Sequence, residues 1–178
     1  MIYTVELNFS DPLREPEWSA WYETYLRQLV SLPGLNTAQR FRAVRPDVER
    51  WAYLAVYSLD SLDVYSSESY RKIGGGGNAS ARFRDAIRRR RNVYAGIDRF
   101  PEITPDGRVL FGEDMTPVDL KDVLPYPLQA ASGRRQAGAT ELDGQPDRRM
   151  IAVAGAAAIS GQDLPGLAVY APITRRYA

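Results

Sequence analysis

The stretch PEWSAWYETYLRQLVSLPG, residues 16–34, decides how the rest of the chain is read. Its large apolar residues Trp18, Trp21, Tyr22, Tyr25, Leu26, Leu29 and Val30 recur at i, i+3, i+4 and i+7, the spacing that gathers side chains on one stripe of an α-helix. Pro16 suits the first turn, where its missing N–H removes a donor that would be unpaired anyway, and Pro33-Gly34 ends the helix. A stripe with two Trp and two Tyr carries polar tips that need partners or water once covered. It reads either as a core stripe with wet edges or, in part, as the wall of an aromatic cavity.

Outward from this helix the pattern is that of a sheet. Residues 2–9 alternate, with Tyr3, Val5, Leu7 and Phe9 on one face and Thr4, Glu6 and Asn8 on the other. A second strand is expected over 36–43, with Phe41 and Ala43 opposite Arg40 and Arg42. WAYLAVYS, residues 51–58, is the strongest β signal, with Trp51, Tyr53 and Tyr57 on one face. A short helix follows over 60–73, then four glycines at 74–77, whose ordering entropy suits a mobile loop. No Gly-Lys-Ser/Thr follows them, so they do not make a P-loop. Asn78 or Ser80 caps a second helix expected to run to about Arg90, with Phe83, Ala86 and Ile87 inward, and 92–98 reads as a fourth strand. The order is βαββαβ, an antiparallel ferredoxin-like unit of the α+β class.

Residues 108–178 read as a degenerate second copy joined by a linker at 101–107. A strand is expected over 108–115 and a short helix from Thr116, ended by Pro125 and Pro127. Residues 133–157 parallel 37–58 as strand, Pro-Asp turn and strand, and 167–173 form a last strand, with 160–166 in place of a helix. The expected architecture is a unit at 1–100 packed on a second at 108–178, the two duplicated in tandem to form an α+β barrel.

Composition removes whole classes of chemistry. The chain has no His and no Cys, which eliminates imidazole and thiolate metal ligands, the usual haem ligands, Cys nucleophiles and His general bases. No metal and no cofactor is expected; what remains is carboxylate, Tyr, Lys and Arg chemistry, or hard-cation binding through oxygen ligands. Lys+Arg total 23 against 22 Asp+Glu, so no long-range field draws the chain to nucleic acid or to a membrane. Arg88 to Arg91 are expected at a helix C-terminus, where cations complement the dipole. No run reaches membrane-spanning length and residues 1–9 lack signal-peptide character, so a cytoplasmic location is expected.

The pattern WSAWYETYLRQLVSLPGLNTAQRFR, then YLAVYSLDS, then a helix leading into NVYAGI, resembles the dimeric α+β barrel superfamily of EthD-like proteins, stress-responsive A/B barrels, muconolactone isomerases and small polyketide monooxygenases and cyclases. The resemblance implies two ferredoxin-like sheets face to face, as a homodimer or a self-closed tandem chain, with a ligand cavity between sheet and helices. Many relatives carry a His about where Tyr25 stands. Its absence speaks against haem-handling members such as chlorite dismutases.

Strand alternation and the superfamily's sheet order group Glu6, Asn8, Arg40, Arg42, Tyr53, Tyr57, Tyr94 and Asp98 on one face. In that grouping Glu6 moves a proton, Tyr53 or Tyr57 donates a hydrogen bond, and Arg40 and Arg42 hold an anionic substrate group, with Tyr94 beside them. The alternative for the arginines is structural, a ladder with Glu6 across neighbouring strands or a bridge to a second sheet in a dimer or tandem barrel. Trp21, Tyr22 and Tyr25 belong to a cavity on the other, apolar face, and the pattern leaves open which face holds the ligand. The expected function is a cofactor-free lyase, isomerase or cyclase acting on an aromatic or polyketide-like small molecule. The alternatives are a cofactor-independent monooxygenase and a non-catalytic ligand-binding or oligomerisation protein.

Overall fold

The computed structural model describes residues 1–46, 49–113, 123–131 and 133–178. Ten strands and two α-helices follow one another as β1 (Ile2–Phe9), α1 (Glu15–Val30), β2 (Leu35–Ala43), β3 (Tyr53–Leu59), α2 (Glu68–Lys72), β4 (Ile87–Ala95), β5 (Gly107–Gly112), β6 (Leu124–Ala130), β7 (Arg135–Ala137), β8 (Thr140–Leu142), β9 (Arg148–Gly155) and β10 (Leu167–Pro172). Eight strands close into an antiparallel barrel in the order β1-β3-β2-β10-β5-β9-β6-β4, and β7 and β8 form a separate hairpin. The protein is of the α+β class.

The closed order contains the same arrangement twice. Strands of residues 2–95 lie as β4-β1-β3-β2, and those of residues 107–172 lie as β10-β5-β9-β6, so each set places its fourth, first, third and second strand side by side. Pairings of β2 with β10 and of β4 with β6 close the barrel within one chain.

Strand alternation sends side chains to two cores. Ile2, Phe41, Leu54, Val56, Tyr94, Val109, Phe111, Ile151 and Tyr170 fill the barrel, as an eight-stranded interior requires. The segment between β4 and β5 plugs one end: Phe100 and Ile103 are buried there, and Gln39 receives the Ile103 N–H at 3.0 Å and donates to its carbonyl at 2.7 Å. On the outer face of β1-β3-β2-β4, Tyr3, Val5, Leu7, Tyr53 and Tyr57 meet Trp18, Tyr22, Leu26 and Leu29 of α1. Phe9 stacks on Trp18 at 4.6 Å. Pro16 lies in the first turn of α1 with Glu15 and Glu17, where acidic groups suit the positive end of the helix.

Two expectations are corrected. The second helix, expected to reach Arg90, is a single 3-10 turn at Ala81–Phe83, because β4 begins at Ile87 and pairs with β1 along the whole run Ile2↔Tyr94 to Phe9↔Ile87. A full ladder of backbone bonds outweighs the few helical apolar positions at 83–87, and Arg88 to Arg91 are therefore strand residues. Pro125 and Pro127 lie in β6, whose pairing with β4 reaches only Ala130 and Gln129. A strand segment paired on one side tolerates residues without an N–H. The expected strand over 133–142 folds instead as the β7-β8 hairpin, which leaves the barrel and packs against the outer core through Ala137 and Leu142. The helix expected at 116–124 lies mostly outside the described residues. No helix of the described residues is long and apolar enough to cross a membrane.

Candidate functional site

β1, β3 and β4 present Tyr3, Val5, Leu7, Tyr57, Arg89 and Arg91 to the outside of the barrel, and α1 lays Trp21, Tyr22, Tyr25 and Leu29 over them. Tyr65, Tyr70, Gly77, Ala79 and Ser80 close the side between α1 and β4. Between these walls lies a narrow cavity of about 60 Å³ with an open mouth. The interior is thus a slot bounded by flat rings. Trp21 stacks on Tyr25 at 5.3 Å, and Tyr3 lies 5.3 Å from Tyr57 and 5.4 Å from Tyr65.

The polar groups of the slot are phenols and guanidiniums. Tyr22 Oη and Tyr57 Oη share a hydrogen bond of 3.1 Å. Tyr65 Oη is buried without a partner among the described residues. Burial pushes the phenols of Tyr3, Tyr22, Tyr25, Tyr57 and Tyr65 above their ordinary value, so each is a neutral hydrogen-bond donor at physiological pH. Arg89 donates to Ser80 Oγ at 3.3 Å and Arg91 to the Gly76 carbonyl at 3.2 Å. Burial, and then the neighbouring charge of Arg91, lower the pKa of Arg89. Among the described residues no Asp or Glu lines the slot. Two guanidiniums therefore face an aromatic space whose lining holds no carboxylate, with Glu141 of the β7-β8 hairpin within electrostatic reach of both from outside it.

Glycines allow the wall to approach the cations. Gly77 has φ +107°, and a Cβ there would lie 2.4 Å from Arg89 Nη2. The Tyr70 hydroxyl accepts the Gly76 N–H at 3.1 Å and contacts Thr140 Oγ1 of the β7-β8 hairpin at 2.6 Å.

The residues singled out from sequence divide between the two sides of the sheet. Glu6 lies opposite Leu54 and Arg90, so it points into the barrel, where Arg90 holds it through two bonds of 2.6 and 2.8 Å and Arg149 through one of 3.2 Å. Tyr94 also points inward and donates to the Pro146 carbonyl at 3.0 Å. Asn8 ties Arg50 and Ala52 together, and Asp98 is exposed. Tyr53, Tyr57, Arg40 and Arg42 point outward, toward α1. The expected convergence of Glu6 with Tyr53, Tyr57, Arg40 and Arg42 is thus corrected, as is the alternative ladder of Glu6 with those arginines. Of that set only Tyr57 lines the slot, together with the helix residues Trp21, Tyr22 and Tyr25. Tyr53 bonds Glu15 at the outer edge of α1, and its phenol is pushed by burial up to about 12. Arg42 is half exposed beside Glu15 at 3.7 Å.

Arg89, Arg91, Tyr65 and Tyr70 were not singled out from sequence. The signal was the period-two pattern of IRRRRNVYA, which puts Ile87, Arg89, Arg91 and Val93 on one face and Arg88, Arg90, Asn92 and Tyr94 on the other.

A second cavity opens at the barrel mouth, with Glu6, Glu49, Trp51, Arg90, Glu113 and Arg149 among its walls. Most of its charges are paired, Arg90 and Arg149 on Glu6, Arg149 near Glu113 at 3.6 Å and Arg45 near Glu49 at 3.7 Å, and the remaining Arg50 and Asp163 are of opposite sign. The slot under α1 is therefore the better candidate, with charge left for a ligand. No group of three or more Asp or Glu side chains able to hold a metal occurs among the described residues.

No protein-family model and no curated protein matches the sequence. Solved structures do match over nearly the whole of each chain. An anthrone oxidase-like protein superposes with a TM-score of 0.56 at 14% identity, covering 99% of this chain and 92% of its own. A chlorite dismutase candidate gives 0.55 at 11%, covering 97% and 95%. A monooxygenase candidate from Fusobacterium nucleatum subsp. nucleatum gives 0.55 at 9%, covering 98% and 93%. At these identities the likeness is one of fold.

Proposed function

We propose that the slot under α1 binds an electron-rich, hydroxylated aromatic small molecule as its phenolate or enolate, and that the protein is a cofactor-free enzyme that exposes this anion to O₂. The observation that carries the reading is the pair Arg89 and Arg91, which face an aromatic cavity with no carboxylate in its lining. In a low-dielectric space such a pair stabilises a developing oxyanion more strongly than water does. The surrounding phenols add hydrogen bonds to the same oxygen and rings for an aromatic body to lie against. The lining supplies no carboxylate base, so the substrate must be acidic enough to lose its proton to solvent once its anion is held. A carbanion flanked by aromatic rings meets this condition and reacts with O₂ directly. An activated methylene would then be oxidised as R₂CH₂ + O₂ → R₂C=O + H₂O, by way of a hydroperoxide that loses water. The names of the anthrone oxidase-like and monooxygenase neighbours favour this variant over the carboxylate-driven lyase or isomerase.

The repeated strand order supports reading the chain as two ferredoxin-like units, 1–100 and 108–178, that close one barrel without a partner. The test of function is consumption of O₂ in the presence of a tricyclic hydroxyanthrone. Oxygen uptake that matches product formation and falls at least tenfold in Arg89→Met is the expected result. Conversion that persists without O₂ would assign an isomerase or cyclase step through the same enolate. Tight binding without conversion would leave a ligand-binding protein.

A further inference from the structure

We propose that Arg40, which does not line the slot, is a positioning residue whose charge makes Tyr22 the proton-donating phenol of the site. Arg40 leaves β2 toward α1 and is 1% exposed. Its guanidinium carbon lies 4.2 Å from the ring centroid of Tyr22, 4.6 Å from that of Trp18 and 5.4 Å from that of Tyr53. Nη1 reaches Ser19 Oγ at 3.2 Å and the Ser19 carbonyl at 3.4 Å, while Nε and Nη2 are buried without partners among the described residues. Ring faces attract a cation, but they do not replace the hydrogen bonds it gives up on leaving water. An apolar side chain of similar volume would fill this place with less desolvation. A cation here therefore calls for an explanation in what it acts on.

The ring it lies nearest to is that of Tyr22, whose hydroxyl stands in the slot against Tyr57 Oη. Positive charge at the ring face stabilises the phenolate form of Tyr22 more than that of Tyr57, which is farther along the pair. The other groups facing Tyr22 are Tyr3 from β1, Tyr57 from β3, Arg89 from β4, Tyr70 from α2 and Tyr25 from its own helix. Arg89 and the hydrogen bond from Tyr57 act in the same sense as Arg40, and the phenol of Tyr70 acts against them. Burial raises the pKa of both Tyr22 and Tyr57, and at Tyr22 the charge of Arg40 is the first of the influences that oppose it. Tyr57 then donates to Tyr22, and Tyr22 gives its proton outward. On the oxidation proposed above, the O–H bond of Tyr22 breaks as that of the substrate hydroperoxide forms. Tyr22 is left as a phenolate that accepts from Tyr57 and regains its proton from water.

This inference rests on the reading of the slot as the site of reaction, but its test needs no substrate. A fluorinated tyrosine, which titrates within the pH range of a folded protein, is placed at position 22 or at position 57 and followed by ¹⁹F NMR. The expected result is a midpoint at 22 lower than at 57 by about one pH unit, a tenfold difference in proton affinity. Arg40→Met should raise the midpoint at 22 toward that at 57, and Arg40→Lys, which keeps the charge, should retain most of the difference. A midpoint at 57 equal to or below that at 22 in the parent chain overturns the proposal. So does an Arg40→Met protein, folded by circular dichroism, in which position 22 does not move. If Arg40→Met does not fold, the order in the parent chain and its retention in Arg40→Lys decide the matter, and loss of the order in Arg40→Lys overturns it.

Discussion

Glu6→Gln separates the two sides of the sheet. The Glu6 side chain is 2% exposed and is held by Arg90 at 15% and Arg149 at 5%, so the substitution leaves two poorly solvated guanidiniums facing a neutral amide. Removing one partner of a buried ion pair costs about 3–5 kcal/mol, because the remaining charge stays desolvated. The amide keeps one acceptor oxygen, which places the expected loss near the lower end, about 3 kcal/mol. A chain of this size loses roughly 2–4 °C of melting temperature per kcal/mol, so Tm should fall by about 6–12 °C. Thermal unfolding by circular dichroism measures this, and urea unfolding with an unchanged m-value shows that the folded and unfolded states remain comparable. Glu113→Gln is the control: its carboxylate is 66% exposed and 3.6 Å from Arg149, and its loss should move stability by no more than about 0.5 kcal/mol. Ligand affinity of the slot under α1 should be unchanged in Glu6→Gln at temperatures where it is folded. A Tm within about 2 °C of the parent would refute the energetic reasoning. Loss of turnover at unchanged Tm would return the chemistry to Glu6 and refute the choice of site.

Other consequences are open to direct measurement. Arg91→Met should weaken binding of a hydroxyanthrone at least tenfold at a pH where the ligand is ionised, and much less where it is neutral, as read by quenching of Trp21 fluorescence. Gly77→Ala places a Cβ 2.4 Å from Arg89 Nη2 at φ +107°, so it should cost about 1–2 kcal/mol in thermal stability and also weaken anion binding by displacing Arg89. Glu23 accepts a hydrogen bond from the Tyr177 hydroxyl, which holds its carboxyl below the ordinary value of 4.5. The stability from this contact is present above the unfolded value and is lost as pH falls through the folded one. Between pH 6 and pH 3 the parent should therefore lose more thermal stability than Tyr177→Phe, and parallel curves would show that the contact contributes nothing.

The fold was legible where periodicity was long and unambiguous. The stripe of α1, the alternation of β1 and the run of β3 give their own elements, and the strand order follows once a fourth strand exists. What failed was parity between strands. Alternation inside 51–58 separates Tyr53 and Tyr57 from Leu54 and Val56, but it does not say which set shares a face with Glu6. That is fixed by register, Glu6 opposite Leu54, and a shift of one residue would reverse the answer. The site's cations were hidden for a related reason. Four consecutive arginines read as one basic patch at a helix end, whereas in a strand they divide into Arg89 and Arg91 under the helix and Arg88 and Arg90 toward the barrel. The hairpin of residues 135–142 was hidden because its partners, Tyr65 and Tyr70, are distant in sequence and of no fixed period.

That hairpin distinguishes the two halves of the barrel, which are alike in strand order. The outer face of β5 and β9 is covered by a small core of Leu110, Ala152, Ala154, Ile159, Leu164 and Leu167, aliphatic side chains with no polar tips among them. The outer face of β1 and β3 carries tyrosines, and their hydroxyls oblige the covering layer to offer polar partners. Part of that layer is borrowed from the other half of the sequence. Ala139 N–H donates to the Tyr65 carbonyl at 2.9 Å, Thr140 meets Tyr70, and Asp143 accepts the backbone N–H of Arg91 at 2.7 Å. Gly138, at φ +53°, lets the turn approach so closely that a Cβ would fall 2.1 Å from the Tyr65 carbonyl oxygen. Residues 135–143 are thus held against the slot by contacts that barrel closure does not require. Closing the sheet has no need of this extension, so its placement ties residues 135–143 to the slot under α1.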